Sequence, residues 1–273
     1  LVVLLCLLRV AAGGKLLVVP SDGSPWLSMR EILDILKQKG HEIVVVASET
    51  RLQIKRTEHY VMKIYPVPFT QEEMDEKFNA FLQEMLKEGS FLERYQKLQR
   101  SIGMVTELAV RSCEHLLYNK ELMKYLEESK FDAVFTDPVV PCGQIVAEHL
   151  SLPSVFFSRG VPCGIDFEAT QCPNPPSYVP RGFTPHSDRM DFLERVKNTL
   201  FDLSNLFLCD VFYGPYEELA SRFLQRDVTM TDLARKGSVW LMRLDFVLDY
   251  PRPLMPNMVF IGGVHCTHKK LAQ

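Results

Sequence analysis

The chain has 273 residues, 47% of them hydrophobic and 24% charged, with a net charge of −3 and an isoelectric point near 6.2. That apolar content sustains one large domain or two modest ones. The charge balance excludes the basic excess of a nucleic-acid-binding protein, and no later segment approaches the roughly 18 to 20 uninterrupted apolar residues of a membrane span.

Leu1 to Val10 is almost wholly apolar and runs into Ala11-Ala12-Gly13-Gly14. The run reads as the apolar core of a signal peptide with a small-residue cleavage zone, residues 1–13, although the charged start is missing and Arg9 interrupts it. A buried first strand is the other reading. A better strand follows at Lys15–Pro20 and ends in the loop Asp22-Gly23-Ser24-Pro25-Trp26-Leu27. A helix is expected from Ser28 to Lys39, with Ser28 as cap, Glu31 three residues on, an apolar stripe of Ile32, Leu33, Ile35 and Leu36, and Gly40 as stop. Ile43–Ala47 is a β-branched run suited to a parallel strand covered on both faces. Val61–Val67 is a third strand.

Gln71–Lys87 and Ser90–Asn119 read as helices, followed by a short one at Lys120–Ser129. Phe131–Thr136 is a strand that ends at Asp137-Pro138. Pro141–Leu150 is a helix with proline at its start, and Leu152–Phe157 is the next strand. Residues 159–185 are rich in proline and read as a long ordered surface loop, of the kind that often carries function. Met190–Leu208 and Tyr216–Gln225 are expected as two helices. Ser238–Leu244 and Met258–Gly262 are strands. The rhythm is βαβ, so the expected fold is α/β, a Rossmann-like doubly wound sheet of six or seven mainly parallel strands.

Several chemistries find no support. The phosphate-cradling patterns GxGxxG and GxxxxGK[ST] and the hydrolase pattern GxSxG do not occur. The seven histidines have neither an i,i+4 partner nor a cysteine at ligand spacing, so no metal site is expected. His41, between Gly40 and a strand, falls at the amino-terminal edge of the sheet and reads as structural. The seven cysteines fit no metal motif. Cys6 belongs to the apolar leader, and Cys163 and Cys172 could pair in an oxidising compartment or remain buried thiols. Ligands of open α/β sheets collect at the carboxyl ends of the strands, which singles out loop 22–27 and Asp137. A carboxylate there can orient a base or stabilise a cation, whereas a proline at position 25 can be neither base, nucleophile nor metal ligand.

The stretches 22–29 (DGSPWLSM), 39–47 (KGHEIVVVA), 131–138 (FDAVFTDP), 150–157 (LSLPSVFF), 172–180 (CPNPPSYVP) and 249–263 (DYPRPLMPNMVFIGG) together resemble the amino-terminal half of the animal UDP-glucuronosyltransferases, the subfamily that conjugates bilirubin and phenols. The resemblance runs from about residue 14 to 264. It implies the amino-terminal domain of a two-domain GT-B glycosyltransferase, with residues 14–264 as the acceptor-binding domain and 265–273 as the start of the interdomain linker. It also implies a lumenal active site at the endoplasmic reticulum membrane. The donor UDP-glucuronic acid would be held by a carboxy-terminal domain that continues into a membrane helix, and no cofactor by this half. Homo- or hetero-oligomers with other transferases are left open.

In most members a histidine follows the Gly-Ser of the first loop and takes the acceptor's proton, oriented by the aspartate of the Asp-Pro motif. Here Asp137 matches the aspartate and Pro25 stands in the histidine's place. The resemblance also implies acceptor contacts from Ser24, Trp26 and Leu27, from Phe81 and Met85, and from Arg159, and membrane contact near 161–167 and 200–213. Two readings follow. One is the acceptor half of a transferase of lipophilic acceptors that favours amines over phenols. The other is a truncated, non-catalytic product that modulates intact transferases.

Overall fold

The computed structural model describes residues 13–264 except 56, 88–90, 183, 246 and 248. The expected leader (1–12, with Cys6) and linker (265–273) therefore lie outside the described residues.

Seven strands form one sheet: β1 (Lys15–Val19), β2 (Glu42–Ser48), β3 (Val61–Tyr65), β4 (Ala133–Thr136), β5 (Ser154–Ser158), β6 (Gly237–Met242) and β7 (Met258–Phe260). Their order is β3–β2–β1–β4–β5–β6–β7, and every pairing is parallel. The chain builds outward from β1 to β3 on one side, then returns to the other side of β1 with β4. This is the doubly wound arrangement expected, with its switch point between β1 and β4.

Both faces are covered, which is why the strand runs show little polar alternation. Leu17, Val19, Val44 and Val46 belong to one apolar cluster, and Val18, Val45 and Ala47 to the other, following the two-residue period of a strand. The helices are α1 (Ser24–Gln38), α2 (Gln71–Leu86), α3 (Phe91–Leu117), α4 (Lys120–Glu128), α5 (Cys142–His149), α6 (Ile165–Thr170), α7 (Phe192–Leu224) and α8 (Met230–Ala234). Local chemistry starts several of them. The Thr70 side chain accepts from the Glu73 N–H before α2, that of Asn119 from the Leu122 N–H before α4, and Asp191 and Glu194 form a capping box at α7. No helix among the described residues is long and apolar enough to cross a membrane.

Four expectations are corrected. Helix α1 begins at Ser24, four residues before the expected cap, with Pro25 in its first turn, where a missing N–H costs nothing. Ser28 is buried inside the helix, and the inward stripe is Trp26, Met29 and Leu33, while Ile35 is 48% exposed. The two helices expected at 190–208 and 216–225 are one, continuous through Pro215. Tyr213 and Tyr216, on either side of the proline, are both buried, so packing holds the chain where the ring removes a hydrogen bond.

Residues 159–185 are not a plain surface loop. A 3₁₀ turn (Pro162–Gly164) leads into α6, whose Ile165, Phe167 and Ala169 are buried. Its following coil is tied to α7 by Arg181, which donates from Nε to Asp202 at 2.5 Å and from Nη1 to Asn174 at 2.8 Å, while its own N–H donates to Asn198. Finally, Cys163 bonds Cys209 of α7 and not Cys172. A second disulfide joins Cys113 to Cys142, and Cys172 is a buried free thiol. The 163–209 pairing was illegible because its partner lies 46 residues away, in a helix that packs over the turn only in the fold.

Candidate functional site

Parallel pairing sets Val19 at the end of β1 beside Thr136 at the end of β4. The chain leaves the sheet there in opposite directions. Pro20, Ser21 and Asp22 thus come up beside Asp137, although more than a hundred residues separate them. The Thr136 hydroxyl donates to the Val19 carbonyl at 2.6 Å and locks the two strand ends together.

A cavity of about 240 Å3 opens at this switch point. Its floor is the carboxyl ends of β1 (Val19 to Asp22) and β2 (Val46 to Ser48). Met74 and Phe78 of α2 and Val105, Leu108 and Ser112 of α3 form its walls. The Cys113–Cys142 disulfide, which clamps α3 to the start of α5, closes another side. The lining is mostly apolar, and its polar groups are largely engaged. Ser48 Oγ donates to the Thr50 carbonyl, Thr50 Oγ1 to the Phe69 carbonyl, and Tyr65 shares a hydrogen bond with Ser112. The site suits a small lipophilic molecule.

Asp22 shapes the rim. Its carboxylate accepts the N–H groups of Gly23, Leu52 and Gln53 at 2.6, 2.6 and 2.9 Å, tying the β1 loop to the coil after β2. Sequence reasoning singled out loop 22–27 but gave Asp22 no role of its own. The signal was present in Asp-Gly at a strand end, a pair that organises its own loop. Gly23 adopts φ 90°, which a side chain would resist.

Asp137 is 2% exposed. Its Oδ1 accepts the Val139 N–H at 2.9 Å. Burial pushes its carboxyl up to about 6, against the opposing pull of that N–H, of Ser21 and of the Arg243 charge. The Ser21 hydroxyl is buried against the cavity and close enough to Asp137 to lower it, yet it is in hydrogen-bond geometry with no partner among the described residues. Arg243, just past β6, keeps an unpartnered Nε. Burial pulls it below the usual guanidinium value, Asp137 opposes this, and Arg159 adds to it.

The other expected site residues divide. Pro25 sits in the first turn of α1, outside the cavity lining. Ser24 and Leu27 are exposed and also outside it. Trp26 is a correction. As part of the inward stripe of α1 it is 2% exposed and packs edge-on against Tyr60, in the cluster of Val18 and Val45, and it is not a lining residue. Phe81 stacks on Phe78 with ring centroids 6.2 Å apart, and so supports a lining residue without lining the cavity itself. The Met85 side chain lies outside the described residues. Arg159 is exposed on the loop after β5. His41, at the opposite edge of the sheet, accepts the Gly14 N–H on Nδ1 at 3.0 Å.

The family described as UDP-glucoronosyl and UDP-glucosyl transferase matches residues 14–273. The chain belongs to this family. It is 53% identical to UDP-glucuronosyltransferase 1A1 of Homo sapiens over 268 residues, covering 97% of this chain and 50% of that protein. It is 47% identical to UDP-glucuronosyltransferase 1A4 of Oryctolagus cuniculus over 270 residues, covering 99% of this chain and 51% of the other. The chain thus spans about half the length of the curated relatives it matches. Among solved structures, the glycosyltransferase of kitacinnamycin is similar at 14% identity and a TM-score of 0.48, over 92% of this chain and 51% of its own. A UDP-glucosyltransferase from Polygonum tinctorium is similar at 12% identity and a TM-score of 0.47, over 96% and 55%.

Proposed function

We propose that this chain is the acceptor-binding half of a UDP-glucuronosyltransferase, which moves glucuronic acid from UDP-glucuronate to small lipophilic acceptors. The observation that carries this is the apolar cavity at the switch point, beside the buried carboxylate of Asp137, in a chain of this family. The donor is bound by a carboxy-terminal domain of the kind the resemblance implies, and the lipophilic acceptor by this half, with no cofactor.

Within that reading, amines are favoured over phenols. A phenol is a poor nucleophile until it loses its proton, and a positioned general base is worth roughly 10² to 10⁴ in rate. Pro25 cannot supply one. A tertiary or aromatic amine attacks through a free lone pair and needs only proximity and orientation, themselves a large contribution.

The setting is the lumenal side of the endoplasmic reticulum membrane. Two disulfides among the described residues support an oxidising compartment. Membrane contact falls to α7. Phe192, Val196, Leu200, Leu203 and Phe207 recur every three or four residues along it, each at least 40% exposed. The 161–167 segment is not part of this face, because Val161, Ile165 and Phe167 point inward.

The test is Pro25→His in the full-length transferase, assayed with a phenol and with a tertiary amine. Phenol kcat/KM should rise on the order of a hundredfold, and the tertiary amine should change little. No gain with phenol defeats the amine-preference reading.

A further inference from the structure

With no imidazole at position 25, an acceptor that carries a proton still has to lose it. Among the described lining residues, Ser21 carries a buried hydroxyl that is in hydrogen-bond geometry with no partner. Asp22, Ser48 and Thr50 are all held by backbone groups, and Tyr65 by Ser112. Ser21 is also the lining residue that faces Asp137, since Val19 and Thr136 are paired two residues and one residue before them. Asp137 does not line the cavity, whereas Ser21 does and acts on its carboxylate.

We propose that Ser21 and Asp137 form a proton relay that serves acceptors bearing N–H or O–H, in place of the histidine that most of the family uses. This rests on the transferase reading above. The acceptor's lone pair forms a bond to the anomeric carbon of the nucleotide-activated uronic acid. The bond from that carbon to the diphosphate oxygen breaks, and the diphosphate leaves with the electron pair. The acceptor's proton passes to Ser21 Oγ as the proton of Ser21 passes to Asp137. The carboxyl ends neutral, and product release returns the proton to solvent.

A hydroxyl can do this because it is donor and acceptor at once and rotates freely. The carboxylate is suited as sink because burial has already raised its affinity for a proton toward neutral pH. The other groups that face it are Arg243, whose charge opposes protonation, and the hydroxyl of Tyr213, whose ionisation burial suppresses and Asp137 suppresses further. Neither lines the cavity. Ser21 is therefore the catalytic relay, and the substrates it admits are primary and secondary amines and phenols. A tertiary amine carries no proton to transfer and gains nothing from it.

The experiment compares Ser21→Ala and Ser21→Thr in the full-length transferase, with a phenol, a primary arylamine and a tertiary amine of similar bulk. Ser21→Ala should lower kcat for the first two about tenfold more than for the tertiary amine, with KM for all three moving less than about threefold. Ser21→Thr, which keeps the hydroxyl, should restore most of the loss. An equal loss on all three acceptors, or no rescue by threonine, makes Ser21 a cavity-shaping residue and overturns the relay. Failure of the unsubstituted protein to transfer to any acceptor overturns the transferase reading itself, and the relay with it.

Discussion

The two ends of strand β4 treat the polar groups around them differently, and an aspartate lies just outside each. At the amino edge Asp132 is exposed and accepts the Lys15 N–H at 2.6 Å, while His41 accepts that of Gly14. Neighbouring backbone groups are paired as well, Asp132 N–H to the Lys15 carbonyl and Glu42 N–H to the Gly14 carbonyl. At the carboxyl edge Asp137 is buried and raised. Ser21 Oγ and Arg243 Nε near it, and the Tyr213 hydroxyl above, find no partner among the described residues. Buried polar groups are normally satisfied, so three exceptions around one raised carboxylate invite a functional reading. The amino edge is tied by paired polar groups, and the carboxyl edge borders the cavity.

The sharpest test of that contrast is Asp137→Asn. The asparagine keeps Oδ1 to accept from Val139 but removes the buried charge. The folded-state value lies above that of an unfolded aspartate, so the contribution to stability is fully present below about pH 4. It is lost as pH rises through about 6. Native stability should fall across that window, and the Asn variant should lack that slope. Above it the variant should be more stable by on the order of 3 kcal/mol while glucuronide transfer drops. Urea unfolding at pH 4, 5, 6 and 7 reads the slope directly. A variant destabilised at pH 7 would show that the carboxylate is an ordinary satisfied core group.

The sheet was legible because its strands are short Val- and Ile-rich runs bounded by turn residues, and a strand buried on both faces leaves that trace. The position of Asp137 at the carboxyl edge was legible for a related reason, since an Asp-Pro pair ends a strand. Trp26 failed on helix phase. Taking Ser28 as the cap ignored Pro25 as a first-turn residue, and only the earlier start puts Trp26 in line with Met29 and Leu33. Pro215 was read as a break because local chemistry predicts one, and tertiary packing on both sides overrides it. The disulfide in the cavity wall was invisible for another reason. Cys113 and Cys142 meet only once α3 lies over the β4–α5 turn, and nothing in their spacing encodes that.

A smaller effect checks that the carboxyl edge is open by design and not loosely packed. Gly143, in the first turn of α5, lets that helix sit directly on the end of β4. An added Cβ would lie 2.1 Å from Thr136 Oγ1, the hydroxyl that joins β4 to β1. Gly143→Ala should cost about 2 kcal/mol through overpacking, seen as a lowered denaturation midpoint with an unchanged slope. It should also weaken acceptor binding, because the displaced strand ends carry Ser21 and Asp137. A neutral substitution would mean that Thr136 can move aside, and that the switch point is more compliant than its packing suggests.

The smallest effect belongs to the amino edge. Asp132→Ala removes one acceptor from the Lys15 N–H at an exposed position, and the expected loss is about 1 kcal/mol. Water can reach the freed N–H, which limits the cost. Transfer should be untouched, because β4 still delivers Asp137 to the cavity in the same register with β1. On the transferase reading the two aspartates therefore predict opposite signs on one strand. The outer one should stabilise and be silent in catalysis, whereas the inner one should destabilise at neutral pH and be needed for it. Parallel measurement of unfolding and transfer in both variants checks this, and a loss of transfer in Asp132→Ala equal to that in Asp137→Asn would end the division between the edges.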